Sequence, residues 1–162
     1  NIVKDSNKNI NFYSIESDLL CFKFAKKNLK NNLDKVKLIL GRVHDLEDLH
    51  YVNKNVIFDF GYGDKEYEWF IQDLRRYKKI KNVSNQIPNK IDLLLLDGGE
   101  FSGYADFLSL YLRSKFIVLD DCNSYKQHNV LSFIQKNSNN FQLIYDSNNR
   151  VGLKIFHHLR SV

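Results

Sequence analysis

Several residues able to do chemistry in this 162-residue chain stand directly after apolar runs. Phe12-Tyr13-Ser14-Ile15 leads into Glu16, Leu93-Leu94-Leu95-Leu96 into Asp97, and Phe116-Ile117-Val118-Leu119 into Asp120 and Asp121. A further run, Val36-Lys37-Leu38-Ile39-Leu40, ends on Gly41. In an open parallel sheet ligands bind beyond the carboxyl ends of the strands. A carboxylate there can accept hydrogen bonds from a ribose diol, hold a substrate amine or hydroxyl, or bind a cation. Each acid also has a plainer use. Glu16 can serve the helix start in Glu-Ser-Asp, Asp97-Gly98-Gly99 can be an ordinary strand exit, and Asp120 and Asp121 can cap the helix that follows.

The elements that must position these residues can be read from periodicity. Phe12, Tyr13 and Ile15 predict a short strand. Ser17 is the expected cap of the next helix, with Asp18 in its first turn and Leu20, Cys21, Phe24, Ala25, Leu29 and Leu33 at helical spacing. A short helix is expected within 42–50, and Val56 to Phe60 reads as a strand or a buried extended piece. Glu66 to Lys79 predicts a helix with Trp69, Phe70, Leu74 and Tyr77 on its apolar face. The continuous run Ile91 to Asp97 predicts a central parallel strand covered on both faces. Helices are expected at Tyr104 to Leu112, buried through Phe107, Leu108, Tyr111 and Leu112, and at Val130 to Lys136. Phe141 to Tyr145 and Val151 to Phe156, joined by an Asn-rich turn, predict an antiparallel hairpin. Strands alternating with helices predict an α/β fold with a mostly parallel, doubly wound sheet, closed by that hairpin. No repeat or low-complexity linker divides the chain, so 1–162 reads as one domain.

Bulk properties narrow the function. The chain is 43% apolar, as in an ordinary globular domain. No apolar run approaches the roughly 20 residues of a membrane span, and no secretory signal opens the sequence. The net charge of +5 comes largely from Lys23 to Lys30 and Arg75 to Lys81. Both stretches read as solvated helix faces, and aromatics do not alternate with them as on a base-stacking surface. Cys21 and Cys122 are isolated, which argues against zinc and fits a reducing, cytoplasmic setting. Self-association into a homo-oligomer is left open.

The strand-end pattern resembles the class I S-adenosylmethionine-dependent methyltransferases, a Rossmann-like fold, and in particular their small-molecule O-methyltransferase branch. The resemblance rests on Tyr-Ser-Ile-Glu16, on Gly41-Arg42-Val43, on Leu-Leu-Leu-Leu-Asp97-Gly98-Gly99 followed by Tyr104, on Val-Leu-Asp120-Asp121-Cys-Asn123, and on the closing hairpin. It implies transfer of a methyl group to an oxygen or nitrogen of a small molecule or sugar. By that resemblance Glu16 and Ser17 meet the cofactor's ribose, Gly41, Arg42 and Val43 lie near the adenine, and Asp97 and Gly98 lie beside cofactor and substrate. Asp97 and Asp120 become the catalytic pair. Asp97, Asp120 and Asp121 stand where some members bind a divalent cation such as Mg2+, which prefers oxygen ligands. The segment 51–90 is longer than the usual connection and reads as an insertion bordering the acceptor.

One departure is plain. The family's Gly-rich turn after its first strand has no counterpart, because no glycine precedes Gly41. The expectation is therefore a domain whose first strand lies upstream of Asn1, or a degenerate, non-catalytic Rossmann-like module that scaffolds a partner. A nucleotide-sugar or NAD-dependent enzyme is the remaining alternative, which the hairpin and the paired acids disfavour. A nucleic-acid target is not expected, since Asp97-Gly98-Gly99-Glu100 stands where base-modifying members carry an Asn/Asp-Pro-Pro-aromatic run. Glu100 could act as a base, His44 could lie near the adenine or the acceptor, and His128 is within reach of the Asp120 loop, but all three read first as solvated loop groups. His157 and His158 read as structural, and Tyr62, Tyr67 and Trp69 as packing aromatics that could also line an acceptor pocket.

Overall fold

The computed structural model describes residues 10–30, 32, 34–53 and 61–160, with 50–53 described by backbone alone. The opening Asn1 to Asn9, Leu33 and the expected piece Val56 to Phe60 lie outside the described residues.

Strand β1 (Phe12–Glu16) leads into helix α1 (Leu19–Asn28) and strand β2 (Val36–Leu40). The cap of α1 is Asp18 rather than Ser17. Its extended backbone lets its carboxylate accept from the Leu20 and Cys21 amides, so the first turn starts one residue later than expected. Helix α2 (Leu46–Asn53) follows, then α3 (Asp64–Tyr77), which buries Phe70, Leu74 and Tyr77 while Trp69 stays exposed. Strand β3 (Ile91–Leu96), helix α4 (Gly103–Leu110), strand β4 (Ser114–Asp120), helix α5 (Tyr125–Lys136) and the hairpin of β5 (Phe141–Ser147) and β6 (Leu153–His158) complete the chain.

The described strands form an α/β arrangement of two sheets. β1 and β2 pair in parallel, with Glu16 opposite Leu40. The other sheet has the order β3-β4-β6-β5, in which β3 and β4 are parallel and β6 is antiparallel to both β4 and β5. One core joins the sheets: Ile39 and Val43 belong to the same cluster as Leu94, Leu96, Ile117, Leu119 and Phe156, together with Phe107 and Leu110 of α4 and Val130 and Ile134 of α5. A second cluster seats α3 through Phe70, Leu74 and Tyr77 against Leu49 of α2, Phe101 and Ala105 at α4, and Tyr125 of α5. Helix α3 is thus packed into the body of the fold, and the segment after it lies beside β2. That segment is tied to the end of β2, where Arg42 N donates to Lys81 O and Val83 N to Arg42 O.

Several expectations change. The described strands do not make one mostly parallel sheet: the larger of the two sheets is mixed, with β3 at its edge rather than its centre. β3 is not covered on both faces: Leu94 and Leu96 are buried, but Leu93 and Leu95 are 58% and 53% exposed. Its apolar run therefore has the composition of a two-sided strand and the burial of a one-sided one. The apolar stripe of α1 is also open, with Leu20 and Phe24 exposed and no buried residue in the helix. Leu112 does not join the α4 face; α4 ends at Leu110, a 3-10 turn follows, and Leu112 is exposed.

Helix α5 starts at Tyr125, well before the expected Val130. The apolar period hides this first turn because Lys126 and Gln127 are polar residues at buried positions. The loop before it is strapped to the hairpin turn, Cys122 N donating to Gly152 O and Asn123 N to Val151 O. His158 is structural as expected, buried and stacked on Phe141 at 4.9 Å between centroids.

Helices α4 and α5 meet where Gly103 leaves no room for a side chain. A Cβ there would stand 2.7 Å from the Lys126 carbonyl oxygen. Gly103→Ala is expected to destabilise the fold by about 1–3 kcal/mol through overpacking, read from the urea midpoint. Asp18→Ala should cost about 0.5–2 kcal/mol as a lost cap. The Cys21 amide bond holds the Asp18 carboxyl below its ordinary 3.8. A lowered carboxylate stabilises above its unfolded pKa, so the difference between wild type and Asp18→Ala should be full at neutral pH and shrink as pH falls below that value.

Candidate functional site

The carboxyl ends of β1 and β2 in one sheet and of β3 and β4 in the other are linked by side chains from α3, α4 and α5. At the β1 end, Glu16 is half-buried and its Oε1 accepts from Asp18 N at 2.9 Å. Gly41 N donates to Glu16 O at 3.0 Å, so the tips of β1 and β2 stay in register. The missing side chain of Gly41 serves packing: a Cβ would lie 2.6 Å and 2.7 Å from the two Val83 methyls. Val43 is buried in the core, and the Arg42 guanidinium donates to His44 O and pairs with Asp45 at 3.7 Å. Those residues shape the end of β2.

His44 is the departure at that end. It is 1% exposed rather than a solvated loop group. Its Nδ1 lies 2.6 Å from Asp106 Oδ1 on α4, and its ring meets the Tyr77 edge at 5.0 Å between centroids. Its Nε2 is buried without a hydrogen-bond partner among the described residues. A buried imidazole held on one nitrogen by a carboxylate has a fixed ring and one open nitrogen. The backbone turn that buries it is set by Asn82, which donates to His44 O and to Asp45 Oδ1.

Tyr77, the last residue of α3, bridges the β1 and β3 ends. Its hydroxyl is hydrogen-bonded to Ser17 and Ser102, and a Cβ on Gly99 would lie 3.4 Å from it. Burial pushes its phenol above the ordinary value, with the Asp106 charge adding to the effect. Tyr77 and Lys81 have the Tyr-x-x-x-Lys spacing of short-chain dehydrogenases. A raised phenol is the reverse of what a proton-transferring tyrosine needs. Next to Tyr77, Arg76 pairs with Asp73 at 2.9 Å and reaches Asp18 at 3.7 Å, which lays the end of α3 over the tip of β1. Burial raises the Asp73 carboxyl, and Arg76 opposes that shift.

At the β3 and β4 ends, Asp97, Asp120 and Asp121 offer oxygens that all lie within 4.8 Å of one another. Asp97 is exposed and the other two are half-buried. Asp121 holds a left-handed backbone, φ 58°, and its carbonyl accepts from Ser124 N and Oγ, which turns the chain into α5. The first turn of α5 then clamps the end of β3. Gln127 Nε2 donates to Leu96 O at 2.9 Å. Lys126 Nζ, on a side chain only 6% exposed, donates to Asp97 Oδ1 at 2.8 Å and to Asp121 Oδ2 at 3.1 Å. Burial works against the Lys126 charge, but the two aspartates hold its pKa above the ordinary 10.5.

The structure thus brings together Asp97, Asp120 and Asp121, while Glu16 and Ser17 lie at the β1 end and Gly98 at the β3 end. Gly98 is exposed there, with Asp106 Oδ2 and Ser102 Oγ each 3.6 Å from where its Cβ would be. Tyr104 turns away into the core, tilted against Phe133. Glu100 is half-buried and accepts from the Tyr62 hydroxyl at 2.7 Å, and His128 is exposed. Lys126, Tyr77 and Asp106 are the linking residues missed in the sequence, and His44, weighed there as lying near the adenine or the acceptor, is buried rather than solvated. Only the polar break ahead of Val130 hinted at Lys126, and nothing local distinguished the others. No protein-family model matches the chain, and no curated protein matches it. Among the described residues no helix is long and apolar enough to cross a membrane.

The His44–Asp106 contact supplies a direct test of these links. Asp106→Ala leaves a buried imidazole nitrogen without its partner and should cost about 1–3 kcal/mol in a chemical denaturation experiment.

Proposed function

We propose that the chain is a Rossmann-like methyltransferase domain that moves a methyl group from S-adenosylmethionine to an oxygen or nitrogen of a small molecule or sugar. What supports this reading is that Glu16, Gly41, Asp97 and Asp120 stand at the ends of parallel strands, and that Tyr77, His44 and Lys126 link those ends. Two parallel pairs, each joined through a helix, support the doubly wound arrangement, in which ligands lie beyond the strand ends.

One residue at the strand ends suits a nucleoside: Glu16 offers a half-buried carboxylate for ribose hydroxyls. S-adenosylmethionine, when bound, supplies a methyl group made electrophilic by its sulfonium. The protein's part is then positional. Asp97, the most open of the acids, accepts a hydrogen bond from the acceptor's hydroxyl or amine and orients its lone pair. Asp120 keeps the field at the reacting centre negative, which suits a cationic donor. A ligand that spans the β1 and β3 ends must displace the Tyr77 hydroxyl from Ser17 and Ser102.

That last contact favours a second reading, a non-catalytic module in which α3 has taken the nucleoside's place. S-adenosylhomocysteine separates the two. In the methyltransferase reading it raises the melting temperature of the wild-type protein, and Glu16→Ala weakens its binding at least tenfold by calorimetry. In the scaffold reading wild type shows neither heat nor shift, with Tyr77 still in place. Wild-type silence would end the methyl-transfer proposal.

A further inference from the structure

The acid cluster at the β3 and β4 ends resembles, by residue type, the metal site of some methyltransferases, and its three carboxylates would suit a hard divalent ion. The geometry around it does not. A divalent ion bound through Asp97 and Asp121 needs their oxygens turned toward a common point. One oxygen of each is already turned toward Lys126 Nζ, at 2.8 Å and 3.1 Å. Placing a dication beside a fixed ammonium adds like-charge repulsion at contact distance. Lys126 cannot swing out freely. Its side chain is 6% exposed, and its backbone is fixed by the neighbouring Gln127 bond to Leu96 O and by the close approach of Gly103 to its own carbonyl.

We infer that Lys126 is the resident cation of this site: its ammonium bridges two of the three acids that would otherwise hold a divalent ion, and the Asp97–Asp120–Asp121 cluster is closed to metal while Lys126 is present. The ammonium does part of a metal's work. It holds the β3 and β4 tips together and offsets the repulsion among three acids. It does not supply open coordination positions, so no acceptor is chelated there. This inference concerns the acid cluster alone and stands whether or not the protein binds S-adenosylmethionine.

The test is Mn2+ binding to the full-length protein, followed by electron paramagnetic resonance of the free ion. Wild type and Lys126→Arg, which keeps the charge, should show no saturable binding below millimolar Mn2+. Lys126→Met should bind at least tenfold more tightly than wild type. It should melt lower than wild type without Mn2+ and regain part of that loss with it. Adding Asp97→Asn to Lys126→Met should remove the new binding. Two results overturn the inference: micromolar Mn2+ binding by wild type that Asp97→Asn abolishes, or folded Lys126→Met that binds Mn2+ no better than wild type. Should Lys126→Met not fold, the wild-type and Asp97→Asn measurements still decide it, because neither depends on that variant. Since no cofactor or acceptor is present in the assay, its outcome is separate from that of the S-adenosylhomocysteine experiment.

Discussion

A lysine ammonium removed from water must be surrounded by acceptors, because an unpaired buried charge costs several kcal/mol on the order expected for a broken buried pair. Lys126 meets that condition with carboxylates from two different strand ends, Asp97 after β3 and Asp121 after β4. The pairing forces the first turn of α5 to lie across both tips. Once it does, Gln127 reaches Leu96 O, and the α4–α5 contact closes so tightly that position 103 admits only glycine. The closeness of the β3 and β4 tips and the start of α5 are thus parts of one electrostatic arrangement.

The β1 and β2 ends are organised around buried aromatics. Tyr77 and His44 are in edge contact and both are nearly inaccessible, so their polar atoms must find partners inside the protein. Tyr77 does so through Ser17 and Ser102, and His44 at Nδ1 through Asp106, while its Nε2 has no hydrogen-bond partner among the described residues. These bonds tie α3 and α4 to the ends of β1 and β2. The segment read in the sequence as an insertion therefore contributes to these links itself, through the helix that ends at Tyr77. Whether that helix borders a ligand or replaces one is the difference between the enzymatic and scaffold readings.

The exposed leucines of β3 and the open stripe of α1 lie apart from these links. Both are apolar patterns whose expected cover is not met among the described residues. They explain why the composition of β3 promised burial on two faces while the fold delivers it on one.

What the sequence determined by itself was the local layer: where strands stop and which acids follow them. Short, mainly apolar runs broken by an acid or glycine are strong local signals, and β1, β2, β3, β4 and the hairpin all fall where those signals place them. The helix ends were less legible. The cap moved from Ser17 to Asp18, and α5 began before its apolar period, because capping geometry and buried polar residues leave no periodic trace. Tertiary structure alone decided the site's occupants. Lys126 lies 29 residues from Asp97 along the chain, and His44 lies 62 from Asp106. No local pattern distinguishes a lysine or histidine that will be buried against a distant carboxylate from one that will face water. The free energy that decides it is the desolvation of the charge against the pairing it finds, and that exists only once the strand ends have been brought together.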